Sequence, residues 1–175
     1  NFVANGKILQ ENIFDNIWIQ PAAGDAGGSL GAALALWYLE QGNERIVNPE
    51  DDMNGSYLGT EFDEKEIKKE LDSVGANFEI LNYESLIDKT AEFLSNEKVI
   101  GWFQGRMEFG PRALGCRSIL GDPRSDKMQK NLNLKVKYRE SFRPFAPSVL
   151  REDVSKWFDI NVDSPYMLLV ANINF

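Results

Sequence analysis

The sequence of 175 residues contains no histidine and only one cysteine, Cys116. Histidine is the commonest general base and the commonest metal ligand, so acid–base or metal chemistry within these residues must use carboxylates, lysine, tyrosine or cysteine. A single cysteine excludes an internal disulfide and favours a reducing compartment, for which the cytoplasm is the default. The absence of histidine is the stronger of these two constraints.

Long apolar runs and a signal peptide are also absent. No segment approaches the length of a membrane span, and no basic run followed by an apolar block opens the chain. We therefore expect no membrane partner. The sequence does not begin with methionine, which suggests a piece of a longer protein. A hydrophobic fraction of 43% predicts a globular fold rather than disorder.

Positive charge is scarce overall and concentrated in one segment. The net charge is -8, yet residues 101–151 hold 11 Lys and Arg against 4 Asp and Glu, which is a net of +7. The other residues then carry 8 Lys and Arg against 23 Asp and Glu, a net of -15. An acidic protein that gathers its cations in one segment is expected to hold an anion there, although a solvated basic face is the alternative.

Before this segment, the pattern predicts alternating strands and helices. Residues 16–20 resemble a short strand, and an Ala/Leu-rich stretch over 29–39 predicts a buried helix. The turn between them, Gly24-Asp25-Ala26-Gly27-Gly28, suits either nucleotide contact or tight packing of the helix. Residues 48–58 are acidic and turn-rich, as expected of a linker.

Further along, Thr60-Glu61-Phe62-Asp63 resembles a capping box before a charged amphipathic helix that ends at Ser73, with Gly75 as its C-terminal cap. We then expect a strand over 78–81, a helix over 84–94 and a buried strand over 99–104. This order predicts a layered α/β or mixed α+β fold.

Three arginines follow the last strand at spacings of six and five: Arg106, Arg112 and Arg117. They lie among glycines and a proline. Arginine suits forked recognition of phosphate or carboxylate, and glycine allows a close approach of the backbone to a ligand. This pattern favours a small-anion site.

A second cationic cluster spans 133–149. If its first residues are extended, Lys135, Lys137 and Arg139 share one face, because side chains alternate along a strand. A solvated edge strand guarded by lysines is the alternative for this row. It explains Arg143 less well, because Arg143 lies inside the apolar, rigid run Phe142-Arg143-Pro144-Phe145-Ala146-Pro147.

These residues resemble the signature of the NodU/CmcH carbamoyltransferase family. The matching motifs are Val3-Ala4-Asn5-Gly6, Gln20-Pro21-Ala22-Ala23-Gly24-Asp25-Ala26-Gly27-Gly28, the run from Gly101 to Gly115, Arg117-Ser118-Ile119-Leu120, Asp122-Pro123-Arg124, the run from Phe142 to Leu150, and Ser164-Pro165-Tyr166-Met167. Their number and order make the resemblance far more specific than a short fingerprint.

The resemblance implies a fold in two parts. Residues 1–47 are expected to be a strand–helix remnant of an actin/Hsp70-like carbamoyl-transfer domain, and 48–58 a linker. Residues 59–175 are expected to be an incomplete YrdC-like domain, a twisted mixed sheet with flanking helices. The missing N-terminal domain of the same protein would be a partner of this chain.

The implied activity is ATP-dependent O-carbamoyl transfer, in which the YrdC-like part forms carbamoyl adenylate from carbamoyl phosphate and ATP for a hydroxylated acceptor. The resemblance also implies Fe(2+) in the full-length enzyme, with Asp25 completing a site whose other ligands are absent here, so no iron is expected on this chain. It implies the following roles: catalytic Arg112, Lys137 and Arg143; substrate-binding Arg106, Arg117 and Ser118; nucleotide-binding Gly24, Gly27 and Gly28.

Two alternatives remain open from the sequence. The first is an RNA-binding module, since Tyr138, Phe142 and Phe145 interleave with cations, although the net charge of -8 makes nucleic acid a poor fit. The second is an inert YrdC-like module that has no activity alone. The Cys116 thiol is expected to be buried and structural.

Overall fold

The computed structural model describes residues 1–174, in which helices predominate and strands are few. The α-helices are α1 (Phe2–Gln10), α2 (Asp25–Ala35), α3 (Glu64–Ser73), α4 (Tyr83–Ser95), α5 (Met128–Asn131) and α6 (Val154–Trp157), with 3₁₀ turns at Asn54–Ser56 and Arg151–Asp153. Two of these helices change pitch: α2 continues as a π-helix over Leu36–Glu40, and α5 continues as a π-helix over Leu132–Val136.

One antiparallel hairpin forms the sheet of the described residues. Strand β1 (Ile100–Phe103) pairs with strand β2 (Arg117–Leu120), and Ile100 lies opposite Leu120 in the register. The strand predicted over 99–104 is therefore confirmed. Its side chains alternate between half-buried and exposed, so only one face of β1 is covered.

By spatial contacts the chain groups into two units. The first contains Asn1–Gly59, Met107–Leu114 and residues 148–174, and the second contains Thr60–Arg106 and Gly115–Pro147. The connection between β1 and β2 therefore contributes its middle residues to the first unit. The predicted division of the sequence into 1–47, 48–58 and 59–175 remains a prediction.

The two amphipathic helices of the second unit form where the sequence predicts them. Helix α3 begins with a capping box in which the Asp63 carboxylate accepts the Glu66 N–H and the Glu66 carboxylate accepts the Asp63 N–H. The box therefore lies three residues later than the predicted one. The helix ends at Ser73, and Gly75 follows with φ of +63°, a conformation that glycine favours.

Two predicted strands do not form. The residues 16–20 and 78–81 have extended or irregular backbone and no ladder partner among the described residues. A strand is stable only when a neighbour satisfies its backbone groups, and periodicity alone does not supply that neighbour. Ahead of residues 16–20, Phe2–Gln10 form α1, a helix that the sequence pattern does not predict.

The predicted burial of the second helix is wrong. No residue of α2 or of its π-helical continuation is buried, and the exposed fractions of Leu34, Trp37 and Leu39 are 44%, 53% and 79%. An Ala/Leu-rich composition predicts burial only where another surface is available to cover it. Among the described residues this face is open.

Apolar burial is concentrated in the second unit. Cys116, Met128 and Leu132 are the buried hydrophobic side chains of the described residues. The prediction that the Cys116 thiol is buried is confirmed. A mixed fold of helices and strands is also as predicted, whereas the YrdC-like and actin/Hsp70-like assignments stay predictions. No helix in residues 1–174 is both long and apolar enough to cross a membrane.

Candidate functional site

The loop Met107–Leu114 carries Arg112 and is fixed by backbone hydrogen bonds within the first unit. The Gly59 N–H donates to the Met107 carbonyl at 2.8 Å, and the Phe109 N–H donates to the carbonyl of Ser56 at 2.6 Å. Ser56 itself is only 2% exposed, so this anchor lies in a covered environment. The first half of the loop is therefore tied to the segment 56–59.

A buried carboxylate fixes the second half of the same loop. Glu108 is 7% exposed, and its Oε1 accepts the Leu114 N–H at 2.7 Å. The Tyr57 hydroxyl donates to the Leu114 carbonyl at 2.8 Å. Both backbone groups of Leu114 are thus engaged, and the residues between 108 and 114 close into a braced loop.

The loop also approaches the start of α2 closely. Gly110 has φ of +108°, and a Cβ placed on it would lie 2.5 Å from the Ala22 Cβ. A Cβ on Gly27 would lie 2.5 Å from the Ala22 carbonyl oxygen. Packing against Ala22 therefore explains two of the glycines in the signature without any ligand. By contrast, a Cβ on Gly24 or Gly28 would meet no atom within 4 Å, so the space beside them is open.

Arg112 projects from this braced loop as an exposed side chain. Its guanidinium carbon lies 5.9 Å from the centroid of the Phe2 ring. It forms no ion pair with any of residues 1–174. An arginine on a fixed backbone with no carboxylate partner has its charge available for a ligand.

Asp25 is the first residue of α2 and is exposed. Among the described residues no group of three or more histidine, cysteine or carboxylate side chains is arranged to hold a metal ion. The residues described here therefore do not by themselves fit an iron site, which needs several ligands at fixed positions.

Arg117 has an extensive structural role within the second unit. Its Nη1 donates to the carbonyls of Gln104 and Cys116 at 2.8 and 3.0 Å, and its Nη2 donates to the carbonyl of Gly105 at 3.1 Å. The guanidinium carbon lies 3.4 Å from the centroid of the Phe103 ring. Arg117 thus ties the end of β1 to the start of β2, and its predicted contact with substrate stays a prediction.

The other two predicted substrate contacts also lie in the second unit. Ser118 on β2 accepts the Gly115 N–H at 3.0 Å through its hydroxyl oxygen. Arg106 is exposed, and its Nε lies 3.5 Å from a carboxylate oxygen of Glu61. The contacts of Ser118 and Arg106 with substrate stay predictions.

The row of cations expected on a strand is absent, because residues 132–136 are helical. Lys135 lies in the π-helical continuation of α5, and Lys137 follows directly as its cap, so the two do not alternate across a pleat. A helix satisfies the backbone N–H and C=O groups of these residues locally, and no neighbouring strand among the described residues offers them other partners. Lys137 is exposed and makes no ion pair among the described residues.

Arg143 is also exposed, in contrast to the confined setting that the apolar run suggested. Its Nε donates to Glu140 at 2.8 Å, and the two side chains are 52% and 55% exposed. Hydrogen bonds from the backbone of Glu140 and from Arg143, with the charges of Arg143 and Arg139, hold the pKa of Glu140 below its ordinary value. The charge of Arg143 therefore has a carboxylate partner in the absence of ligand.

Arg112 lies in the first unit, and Lys137 and Arg143 lie in the second. Their convergence on one pocket remains a prediction. Of the residues that sequence reasoning missed, Asn133 is the clearest: it is fully buried and organises the backbone of 139–143. The only sequence signal for it is a polar residue between Leu132 and Leu134, and that signal is too common to identify a site.

An open cleft of about 1210 Å³ lies in the first unit, and Arg112 is not among its lining residues. Trp18, Tyr38 and Asp163 are among its lining residues. The Tyr166 hydroxyl donates to Asp51 and accepts the Gly55 N–H at its edge. Burial, with the nearby Asp51 carboxylate, raises the pKa of Tyr166 to about 12, while the Tyr166 hydroxyl lowers the pKa of Asp51.

Comparison with known proteins agrees with the motifs. Residues 91–174 match the family model described as Carbamoyltransferase C-terminus, and residues 1–34 match the model described as Carbamoyltransferase N-terminus. The matched residues include Asp25, the loop Met107–Leu114 and Arg143. The chain belongs to the carbamoyltransferase family.

Three relatives illustrate the breadth of this family. The chain is 57% identical to an uncharacterized protein of Synechocystis, over 99% of this chain and 28% of that protein. It is 44% identical to nodulation protein NolO of Bradyrhizobium diazoefficiens, over 99% of this chain and 32% of that protein. It is 33% identical to 3'-hydroxymethylcephem-O-carbamoyltransferase of Streptomyces clavuligerus, over 97% of this chain and 30% of that protein. The chain thus spans about a third or less of the length of these relatives.

Proposed function

We propose that the protein containing this chain is an ATP-dependent O-carbamoyltransferase. In this proposal water removes inorganic phosphate from carbamoyl phosphate, and the resulting carbamate oxygen attacks the α-phosphorus of ATP, so that pyrophosphate leaves and carbamoyl adenylate forms. A hydroxyl of the acceptor then attacks the carbamoyl carbon. The bond from that carbon to the adenylate oxygen breaks, AMP leaves, and the hydroxyl proton is lost to solvent or base. The observation that carries the proposal is Arg112, held on a braced loop without any carboxylate partner in residues 1–174.

The charges involved explain the need for such cations. Carbamoyl phosphate and ATP are both strongly anionic, and their approach is repulsive unless cations neutralise the phosphate oxygens. Arg112, Lys137 and Arg143 are assigned this role, with Arg106, Arg117 and Ser118 as further substrate contacts. The first turn of α2, where the space beside Gly24 and Gly28 is open, is assigned to the nucleotide, because the first N–H groups of a helix have no intrahelical partner and favour phosphate. Gly27 is assigned with them as part of the same turn.

The experiment measures AMP release in the complete polypeptide supplied with carbamoyl phosphate, ATP and a hydroxylated acceptor. Arg143→Ala is expected to abolish the release, because formation of the adenylate then lacks a cation that stabilises the charge on the phosphate groups. Arg151→Ala is the matched control, since Arg151 is exposed and pairs with Asp163 much as Arg143 pairs with Glu140. Unchanged AMP release in Arg143→Ala, or none in the unaltered protein, would overturn the proposal.

A second candidate, RNA binding, has one observation in its favour. Tyr138 and Phe142 are 85% and 76% exposed and lie close in sequence to Lys137 and Arg143. Exposed aromatic rings among cations can stack with unpaired bases. A filter-binding titration with single-stranded RNA at several salt concentrations tests it: a steep decrease of affinity with salt supports RNA binding, and absence of binding at low salt excludes it.

A further inference from the structure

Arg139 is a cation of the second unit that protein contacts orient, although part of its guanidinium keeps free hydrogen-bond donors. Its Nε donates to Oδ1 of Asn133 at 2.6 Å, and its backbone N–H donates to the Asn133 carbonyl at 2.9 Å. The guanidinium carbon lies 4.8 Å from the centroid of the Phe145 ring. One edge and one face of the guanidinium are therefore held by protein.

Asn133 can hold Arg139 because its own amide is fixed. The side chain is 0% exposed, and its Nδ2 donates to the carbonyls of Ser141 and Arg143 at 3.2 and 2.8 Å. Since the NH₂ group faces two acceptors, the amide oxygen must face Arg139. This arrangement determines the orientation of the amide, and the orientation of the guanidinium follows from it.

The remaining donors of Arg139 have no protein partner. Its two terminal amino groups make no hydrogen bond, and its guanidinium makes no ion pair, with any of residues 1–174. This distinguishes it from Arg124, which binds Asp122 through two nitrogens, and from Arg151, which binds Asp163 in the same way. In those two arginines a carboxylate already occupies two nitrogens of the guanidinium.

We propose that Asn133 and Phe145 position Arg139 as a preformed fork for a phosphoryl group. Two parallel N–H groups of a guanidinium match two oxygens of a phosphate, and prior fixation of the side chain reduces the entropy lost on binding. Asn133 suits this task because a neutral amide holds Nε without cancelling the charge, which an aspartate would do. Asn133 is a positioning residue in this scheme, and Arg139 is the residue that touches the ligand.

The proposal rests on the proposed function only for the identity of the natural ligand. A phosphoryl group is shared by carbamoyl phosphate and ATP, so each is tested separately beside inorganic phosphate. If the fork binds phosphate while the unaltered protein transfers no carbamoyl group, the inference stands and the proposed function fails. If carbamoyl transfer is observed and phosphate affinity is independent of Arg139, the proposed function stands and this inference fails.

The experiment measures dissociation constants of the complete polypeptide by calorimetry at constant ionic strength. Inorganic phosphate is the first probe, and carbamoyl phosphate and ATP follow. Arg139→Lys keeps the charge but loses the fork, and we expect its phosphate affinity to fall about tenfold. The phosphate affinity of Asn133→Ala should fall by a similar factor. The affinity of the double variant should fall by little more than that of either single variant, because the two residues act through one contact.

Gln129→Ala is the matched control. Gln129 donates to the carbonyls of Phe142 and Arg143, so its removal loosens the same segment without touching the guanidinium. We expect its phosphate affinity to stay within about twofold of the unaltered protein, since the fork remains intact. Phe145→Leu tests the ring contact by itself and replaces Asn133→Ala if that variant does not fold.

Unchanged phosphate affinity in Arg139→Lys overturns the inference, as do additive effects of Asn133→Ala and Arg139→Lys. An equal loss in Gln129→Ala overturns it too, because the cause would then be general loosening. Where the affinity for inorganic phosphate falls, a parallel loss for carbamoyl phosphate but not for ATP assigns the fork to the carbamoyl donor, and a parallel loss for ATP but not for carbamoyl phosphate assigns it to the nucleotide.

Discussion

The two loops that present arginines are organised by different buried groups. In the loop Met107–Leu114 the buried group is the carboxylate of Glu108, which accepts a backbone N–H. In residues 139–143 it is the amide of Asn133, which donates to two carbonyls and accepts from Arg139. A carboxylate can only accept, whereas an amide does both.

This difference explains how each loop keeps a charge available. Glu108 stabilises the backbone around Arg112, and Arg112 forms no ion pair within residues 1–174. Asn133 contacts the guanidinium of Arg139 directly and still leaves its net charge in place, because the amide is neutral.

The largest loss of stability is expected for Asn133→Ala. Three side-chain hydrogen bonds of a fully buried residue are removed, so the free energy of unfolding should fall by about 3 kcal/mol. Urea denaturation measures this. Asn96→Ala is the control, because Asn96 is an exposed C-cap of α4 with one side-chain bond to Glu92. Equal losses in the two variants would mean that Asn133 does not organise its segment.

The next largest loss is expected for Gly110→Ala. The new Cβ would lie 2.5 Å from the Cβ of Ala22, and the backbone has φ of +108°. Strain and overlap together should lower the free energy of unfolding by about 2 kcal/mol. Gly101→Ala is the control, since its Cβ would meet nothing within 4 Å. A neutral Gly110→Ala would show that the loop is free to move away from α2.

A smaller loss is expected for Glu108→Gln. The glutamine keeps an acceptor for the Leu114 N–H but loses the charge that strengthens this bond, which should lower the free energy of unfolding by about 1 kcal/mol. Denaturation of the exposed Glu92→Gln provides the comparison. If Glu108→Gln is as stable as that control, the charge of Glu108 has no part in the brace.

The smallest effect is expected for Arg143→Ala, whose thermal unfolding midpoint should not change measurably. Arg143 and Glu140 are both exposed, and exposed ion pairs contribute little to stability. Arg139→Ala should lower the midpoint, because it leaves the buried Oδ1 of Asn133 without its donor. Calorimetric scans of the two variants test the contrast, and a large shift for Arg143→Ala would make Arg143 a structural residue.

Local patterns predicted the elements that need no distant partner. Helices α3 and α4 are set by amphipathic spacing and by caps at Asp63 and Asn82, which act within a few residues. Strand β1 was predicted from an apolar run, and its neighbour β2 comes only a short distance later in the chain. In each case the information and the interaction lie close together in sequence.

The predictions that failed concern interactions between distant residues. The segments 16–20 and 78–81 have strand-like composition but no ladder partner among the described residues, and α2 has an apolar composition without cover. The alternation of Lys135, Lys137 and Arg139 favours a strand, yet residues 132–136 are helical, because their hydrogen bonds continue those of α5. Composition indicates what a segment prefers, and tertiary contacts decide whether the preference is met.

The sequence by itself determined the family and the concentration of cations between 101 and 151, because both depend on residue identity and order. Only the tertiary structure decided which cations are available. It engages Arg117 with carbonyls, pairs Arg143 with Glu140, and leaves the fork of Arg139 open above Phe145. The physical reason is that an arginine's charge is permanent, whereas its hydrogen-bonding partners depend on which distant groups the fold brings within 3 to 4 Å.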